Sequence, residues 1–361
     1  MTDLALVTDL STAVERYLQH IGEADEYGAV DLVLALLDDG VPAERVLLEL
    51  IAPAQRRVGE LWAADAWSVA REHAATAVTE RAVAAIATRV RPTPRFGRVT
   101  VACADGEYHQ LATRLLAEVL RLRGWRVDFL GASVPAPHLV THLHQTGPDA
   151  VAVSCTLTTR LPRAHATITA CQAAGVPVLA GGAGFGADGR FAGTLGADGW
   201  APTADAAADL LEAGLLPSFP AASPGGPPQP PSPDYARLVA GRADLIARTM
   251  RALTEAHPPM ASYDERQREA TADDLGHLTD FLAAALYVDD VPLFTDFVAW
   301  TRDILKARGV PPAALALGLR LMRDQLHDLP QTHPLLTAGI HTAQSPSRPP
   351  ANPSRPPANP S

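Results

Sequence analysis

The chain predicts three parts in succession: a helical bundle, an α/β domain built on a parallel sheet, and a second all-helical domain. Three observations carry that expectation. Apolar residues recur at three- and four-residue spacing through residues 1–91. Short apolar runs then alternate with amphipathic ones between about 98 and 216. Helical periodicity returns over 235–343, after a stretch dominated by proline and glycine. The 361 residues are 47% hydrophobic and 19% charged, which suffices for more than one core.

In the first part, AVDLVLALLDDG and AERVLLELIAPAQRRVGELW read as helices punctuated by Gly40 and Pro42. SVAREHAATAVTERAVAAIATRV follows, with Ser68 placed to cap its first turn. Roughly four helices in a small bundle result, closed by Pro92 and Pro94. From Arg98 the strands GRVTVACA, WRVDFLGA, DAVAVSCTL, PVLAGGAG and GADGWA are separated by helical segments. Such alternation implies a doubly wound, Rossmann-like (flavodoxin-like) sheet, with ligands at the carboxyl ends of its strands. PSFPAASPGGPPQPPSPD, residues 217–234, reads as a linker. Helical candidates follow in LVAGRADLIARTMRALTEA, DERQREATADDLGHLTDFLAAALYV, VPLFTDFVAWTRDILKARG and PAALALGLRLMRDQL. Residues 344–361, with SRPPANP repeated, are expected to be a disordered tail.

Composition excludes several functions. A net charge of −10 without a basic arm or helix-turn-helix gives no expectation of nucleic acid as a direct partner. The opening MTDLALVTDL lacks the pattern of a signal peptide, and no run is long and apolar enough to cross a membrane. Cys103, Cys155 and Cys171 have no metal-type spacing, and Cys103 and Cys155, inside strand-like runs, read as small buried hydrophobes. A cytoplasmic, reduced protein is expected.

The turn after the first strand reads Asp105-Gly106-Glu107-Tyr108-His109-Gln110-Leu111-Ala112. A histidine here is well placed to project from the ligand edge of the sheet, although a lone one reads more readily as a solvated or helix-capping residue. Ser154-Cys155-Thr156 closes the third strand and Gly181-Gly182 the fourth. Together these resemble the D/E-x-H-x-x-G, Ser-x-Thr and Gly-Gly elements of cobalamin-binding domains, with Ala112 where the family has glycine. The resemblance implies that His109 is the lower axial ligand of cobalt, replacing the detached nucleotide tail. Neutral imidazole suits such a centre, and a neighbouring carboxylate would orient the ring. Glu107 is the nearer candidate for that role and Asp105 the alternative. Ser154 and Thr156 would meet the tail, with Gly181 and Gly182 letting it pass close to backbone.

In the bundle, Trp62, nine intervening residues and then Glu72-His73 resemble the cap of the light-sensing cobalamin regulators of the CarH type. On composition alone Trp62 reads equally as a core aromatic and Glu72-His73 as a solvated first turn. The resemblance implies that Trp62 packs on the adenosyl group of adenosylcobalamin and that Glu72 contacts it. His73 would become the upper axial ligand once light has broken the cobalt–carbon bond. Trp67 reads as core or pocket wall.

The third part carries Asp273-Asp274-Leu275-Gly276-His277-Leu278, then LFTDFVAW and ILKARGVP. These look like globin-like sensory domains, and the whole arrangement resembles the photocobilins, in which such a domain holds biliverdin. His277 with Asp273 or Asp274 would serve the pyrroles, and Arg266, Arg268 or Arg302 the propionates. Tyr263, Tyr287 and Trp300 would wall the pocket. With no cysteine in this part, any bilin would be noncovalent; an empty dimerisation domain and a haem site are the alternatives. Functionally the chain reads as a cobalamin-dependent photoreceptor, not an enzyme, signalling to an unidentified protein with homo-oligomerisation possible. A corrinoid methyl carrier and a non-photic cobalamin sensor or store are the competing readings.

Overall fold

The computed structural model describes residues 9–214 and 232–346. Most of the expected linker and tail therefore lies outside the described residues. The chain divides into two compact units at Ser232/Pro233.

The first unit opens with α1 (Ser11–Gly22) and α2 (Glu26–Asp38), the latter capped by Asp25, whose carboxylate accepts the Gly28 N–H at 2.9 Å. Next come α3 (Ala43–Arg45), a π-helical stretch (Val46–Ile51) and α4 (Ala52–Ala63), which run on without a break. Pro53 accounts for the widened turn. It cannot donate to the carbonyl four residues earlier and its ring presses on that carbonyl, so opening the preceding turn relieves both. α5 (Val69–Arg89) completes the bundle, with Ser68 accepting the Arg71 N–H at 3.2 Å as its sequence position predicts. It buries Ala75, Val78, Thr79, Ala82, Val83 and Ile86, a face at helical spacing.

The α/β part contains β1 (Arg98–Cys103), α6 (Leu111–Arg123), β2 (Arg126–Gly131), α7 (Ala136–Thr146), β3 (Ala150–Ser154), α8 (Leu161–Ala173), β4 (Val178–Gly181), α9 (Arg190–Thr194), β5 (Gly199–Ala201) and α10 (Ala204–Glu212). The strands pair in parallel in the order β2-β1-β3-β4-β5. Their carboxyl ends are level, since Cys103 pairs with Ser154, Ser154 with Gly181 and Gly181 with Ala201. The chain leaves β1 toward β2 on one side and resumes with β3 on the other, which opens a crevice between the loops there. Cys155 and Thr156 lie just past β3 rather than within it.

Bundle and sheet share one apolar core, in which Leu47, Leu50, Val83 and Ile86 join Val99, Val101, Leu120 and Trp125. An ionic clamp adds to it. Arg123 meets Glu44 with two nitrogens, at 2.7 and 2.9 Å, and reaches Asp209 at 3.0 Å, joining α3, α6 and α10.

The second unit is helical throughout its described residues: α11 (Pro233–Ala240), α12 (Arg242–Ala256), a 3-10 turn (Pro258–Ser262), α13 (Glu265–Val288), α14 (Val291–Ala307), α15 (Pro312–Gln325) and α16 (Thr332–Gln344). Asp264 and Gln267 form a reciprocal capping box at the start of α13. α16 goes beyond the helices that the sequence suggests. It packs through Leu335, Leu336, Gly339, Ile340 and Ala343, and a Cβ at Gly339 would fall 2.6 Å from the Phe294 ring. No described helix is long and apolar enough to cross a membrane.

Because Arg123 joins three elements, Arg123→Ala should destabilise the first unit by roughly 1–2 kcal/mol. The melting temperature should fall by a few degrees, with the difference shrinking in high salt. Equal melts for variant and wild type at low salt would remove the clamp from the account.

Candidate functional site

The loop between β1 and α6 carries the candidate lower ligand, and one carboxylate shapes it. Glu107 is fully buried. Its Oε1 accepts the His109 backbone N–H at 2.9 Å and lies 2.6 Å from His109 Nδ1. Its Oε2 accepts the N–H groups of Thr156 at 2.8 Å and Leu157 at 3.1 Å, from the loop after β3. Burial by itself would push this carboxyl up, but the His109 ring and the three backbone donors hold it down at about 2. An ionised Glu107 fixes Nδ1 as the donating nitrogen of a neutral ring and leaves the Nε2 lone pair for a metal. The hydrogen bond to Glu107 raises the His109 pKa, and burial works against it. The His109 side chain remains 59% exposed.

Asp105, the alternative orienting carboxylate, does not touch the ring. It pairs instead with Arg163 at 3.0 Å. Gly106 adopts φ +74° and donates its N–H to Ser133 Oγ at 3.1 Å, while the Ser133 N–H returns to the Glu107 carbonyl at 2.8 Å. Ser133 thus pins the loop, a role with no signal in its sequence surroundings. Gly182 adopts φ +96°, and a Cβ there would fall 2.5 Å from the Cys155 carbonyl. Its first requirement is therefore the chain's own backbone. Gly181 has ordinary room, Ser154 is buried at the strand end, and Thr156 is half-buried. Ala112 lies exposed in the first turn of α6.

The bundle meets this edge through α5. Glu72, Thr76 and Glu80 follow one another at four-residue spacing, on one helical face. Glu72 accepts from Thr76 Oγ1 at 3.1 Å and lies 3.2 Å from His73 Nδ1. Glu80 accepts from Gln110 Nε2 at 3.0 Å, one residue beyond His109. Glu72 also lies close enough to His109 for its charge to favour the protonated ring. The structure thus brings Glu72 and His109, 37 positions apart in the sequence, to the same site. His73 is exposed, and Trp62 is half-buried in the last turn of α4. Trp67 is core: it is buried, Arg71 stacks on it at 4.2 Å, and its ring leaves no space for a Cβ at Gly22. Exposed Tyr108 and Leu157 flank His109 in the chain fold, and exposed Val69 stands one turn before Glu72 and His73. An apolar disc would cover side chains of this kind.

In the second unit the residues named for a bilin do not form one cluster. Tyr263 and Tyr287 stand at opposite ends of α13, roughly 36 Å apart at 1.5 Å per residue. Tyr287 meets Tyr235 at 5.1 Å between ring centroids. Arg302 is buried, and its guanidinium bonds Asp303 and the carbonyls of Thr342 and Ser345 at the end of α16. Capping that helix is its evident work. Arg266, Arg268, Asp273 and His277 are exposed. Burial pushes the Asp274 carboxyl up, while the nearby charges of His277 and Arg308 draw it down. Trp300, 45% exposed, continues a row in which Phe281 and Phe297 stack at 3.5 Å.

Glu107 gives the site a pH dependence of known sign. Its carboxyl lies below the ordinary value of 4.5, so the stability it contributes is present above that value and is lost as pH falls toward about 2. Glu107→Gln should flatten this acid limb in thermal melts and lower the titration midpoint of His109, read from its imidazole proton resonances. An unmoved midpoint would show that Glu107 does not set the basicity of the ring.

Comparison with known proteins places these two layers. Residues 97–209 match the B12 binding domain family, and residues 13–87 match a second B12 binding domain family. The HTH-type transcriptional repressor CarA of Myxococcus xanthus is 36% identical over 121 residues, covering 32% of this chain and 41% of the repressor. The HTH-type transcriptional repressor CarH of the same organism is 32% identical over 159 residues, covering 43% of this chain and 51% of that protein. The matches thus span about half, or less, of these relatives. The monomethylamine corrinoid protein of Methanosarcina barkeri shares the fold at a TM-score of 0.52 and 18% identity, over 57% of this chain and 100% of that one. CarA and CarH are named as repressors rather than enzymes, and a further relative, 28% identical over 119 residues, is named a corrinoid protein of Desulfitobacterium hafniense. The helix-turn-helix designation of CarA and CarH runs against the expectation of no nucleic-acid partner, although no such domain is identified in this chain. Residues 13–87 and 97–209 are thus similar to B12 binding domains, and about a third to two fifths of the chain is similar to CarA and CarH.

Proposed function

We propose that the first unit is an adenosylcobalamin-dependent light sensor. The observation that carries this reading is the pairing across one site of His109, fixed by buried Glu107, with Glu72 of the α5 face. The residues suit the group. One neutral nitrogen is exposed for a metal, exposed apolar side chains flank it, and small residues end β3 and β4. When bound, adenosylcobalamin supplies a cobalt–carbon bond that visible light breaks.

His109 Nε2 would hold the cobalt, and Glu107 keeps the ring oriented and basic. Ser154, Thr156, Gly181 and Gly182 line the path of the nucleotide tail, with Asp105 and Gly106 shaping the rim. Trp62 and Glu72 would contact the adenosyl group, and exposed His73 would be available to hold the metal. Movement of α5 then reaches the sheet through the Glu80–Gln110 contact, where a partner protein or a second copy of the chain reads it.

For the second unit we propose a globin-like domain holding biliverdin noncovalently. The aromatic row Phe281, Phe297 and Trp300, beside His277 and Asp274, is the feature that supports it. Helix geometry leaves Tyr263 and Arg266 too far along α13 to share a pocket with Tyr287, and Arg302 serves α16.

The purified protein loaded with adenosylcobalamin should change its visible spectrum irreversibly under green light, and His73→Ala should yield a different light-state spectrum. Glu107→Gln should weaken corrinoid binding by about 10–100-fold. Cobalamin bands stable to light would sink the photoreceptor and favour a corrinoid carrier. Added biliverdin should give a red absorbance band retained after gel filtration; its loss on the column would leave the second unit without a bilin role.

A further inference from the structure

Arg160 is a cation near His109 whose Nε has no partner among the described residues. It ends the 3-10 turn Thr158–Arg160 at the carboxyl edge of the sheet, directly after exposed Leu157. Its Nε is buried and has no hydrogen-bond partner among the described residues. The carboxylates around the site are committed elsewhere. Glu107 holds His109, Thr156 and Leu157; Asp105 holds Arg163; Glu72 holds Thr76 and lies against His73. Arg160 nevertheless stands close enough to His109 and Cys155 for its charge to oppose protonation of one and ease ionisation of the other.

A buried guanidinium nitrogen without a partner is costly, and a native structure tolerates it where something outside the chain completes it. The missing partner should be an anion, because a guanidinium offers only donors and a permanent charge. A cobalamin carries six neutral side-chain amides around its ring and one anionic group, the phosphodiester of its nucleotide tail. If His109 holds cobalt, the displaced tail would lie against residues at the carboxyl ends of the strands, and the turn that carries Arg160 follows β3 there.

We propose that Arg160 receives the phosphodiester of the corrinoid's nucleotide tail. This rests on the cobalamin reading of the first unit and adds a charge contact to a tail path otherwise lined by hydroxyls and glycines. Arg160 then selects complete cobalamins over tail-less corrinoids.

The test compares hydroxocobalamin with cobinamide, which lacks the tail and its phosphodiester. Each is titrated by absorbance into wild type, Arg160→Met and Arg160→Lys, with circular dichroism melts confirming the fold. Arg160→Met should weaken cobalamin binding by about tenfold or more while leaving cobinamide binding unchanged, and Arg160→Lys should restore part of the loss. In wild type, salt and inorganic phosphate should weaken cobalamin binding more than cobinamide binding. That last comparison decides the matter even if the methionine variant fails to fold. Equal losses for both corrinoids, or no loss for cobalamin, would overturn the assignment. Failure of wild type to bind either corrinoid would instead overturn the reading of the site itself.

Discussion

Glu107 brings a negative charge to a place that water does not reach, and four donors hold it there. An ionised carboxylate in such surroundings persists only when its oxygens are satisfied. Two of the donors come from its own loop after β1, and two from the loop after β3. The carboxylate therefore ties together the two sides of the crevice where the strand order reverses. The level ends of β1 and β3, with Cys103 opposite Ser154, bring Thr156 and Leu157 within reach. A one-residue slip in that pairing would move both amides away and free the His109 ring. Orientation of one imidazole is thus a property of the whole sheet register.

The bundle depends on the same edge in a different way. Its apolar core runs into that of the sheet without a boundary, so the two parts support each other as one unit. What touches the functional loop is polar: Glu80 on Gln110, and Glu72 by its charge on His109. Polar contacts of this kind contribute little to stability but fix direction. α5 is thus held by apolar packing along its buried face and meets the functional loop through only a few polar contacts.

Much of this was legible in the sequence because it depends on period and punctuation. The alternation of buried strands and helices, the Ser68 cap and the histidine turn each follow from local rules. Glu107 as the partner of His109 followed from spacing, since two residues apart in a tight turn leaves the carboxylate in reach of the ring. Features that depend on distant neighbours were not legible. Gly182 is set by the Cys155 carbonyl, Arg302 by the end of α16, and the loop by Ser133. α16 itself borders the Pro-rich tail, and its threonines and Gly339 are weak helix formers whose place is decided by packing on Phe294. The residues proposed for a bilin share a chain segment, yet a 24-residue helix carries them apart.

The charges around His109 have opposing effects on the same nitrogen. Glu107 and Glu72 make the ring more basic, which strengthens Nε2 as a donor to a metal but also favours the proton that competes with it. Arg160 acts in the other direction. A corrinoid, with an electrophilic metal and an anionic tail, would change this balance on entering, because the tail would neutralise Arg160 while the metal took the Nε2 lone pair. If Arg160 meets the tail, the cation and the imidazole act on one molecule, and neutralising Arg160 removes its opposition to protonation of His109.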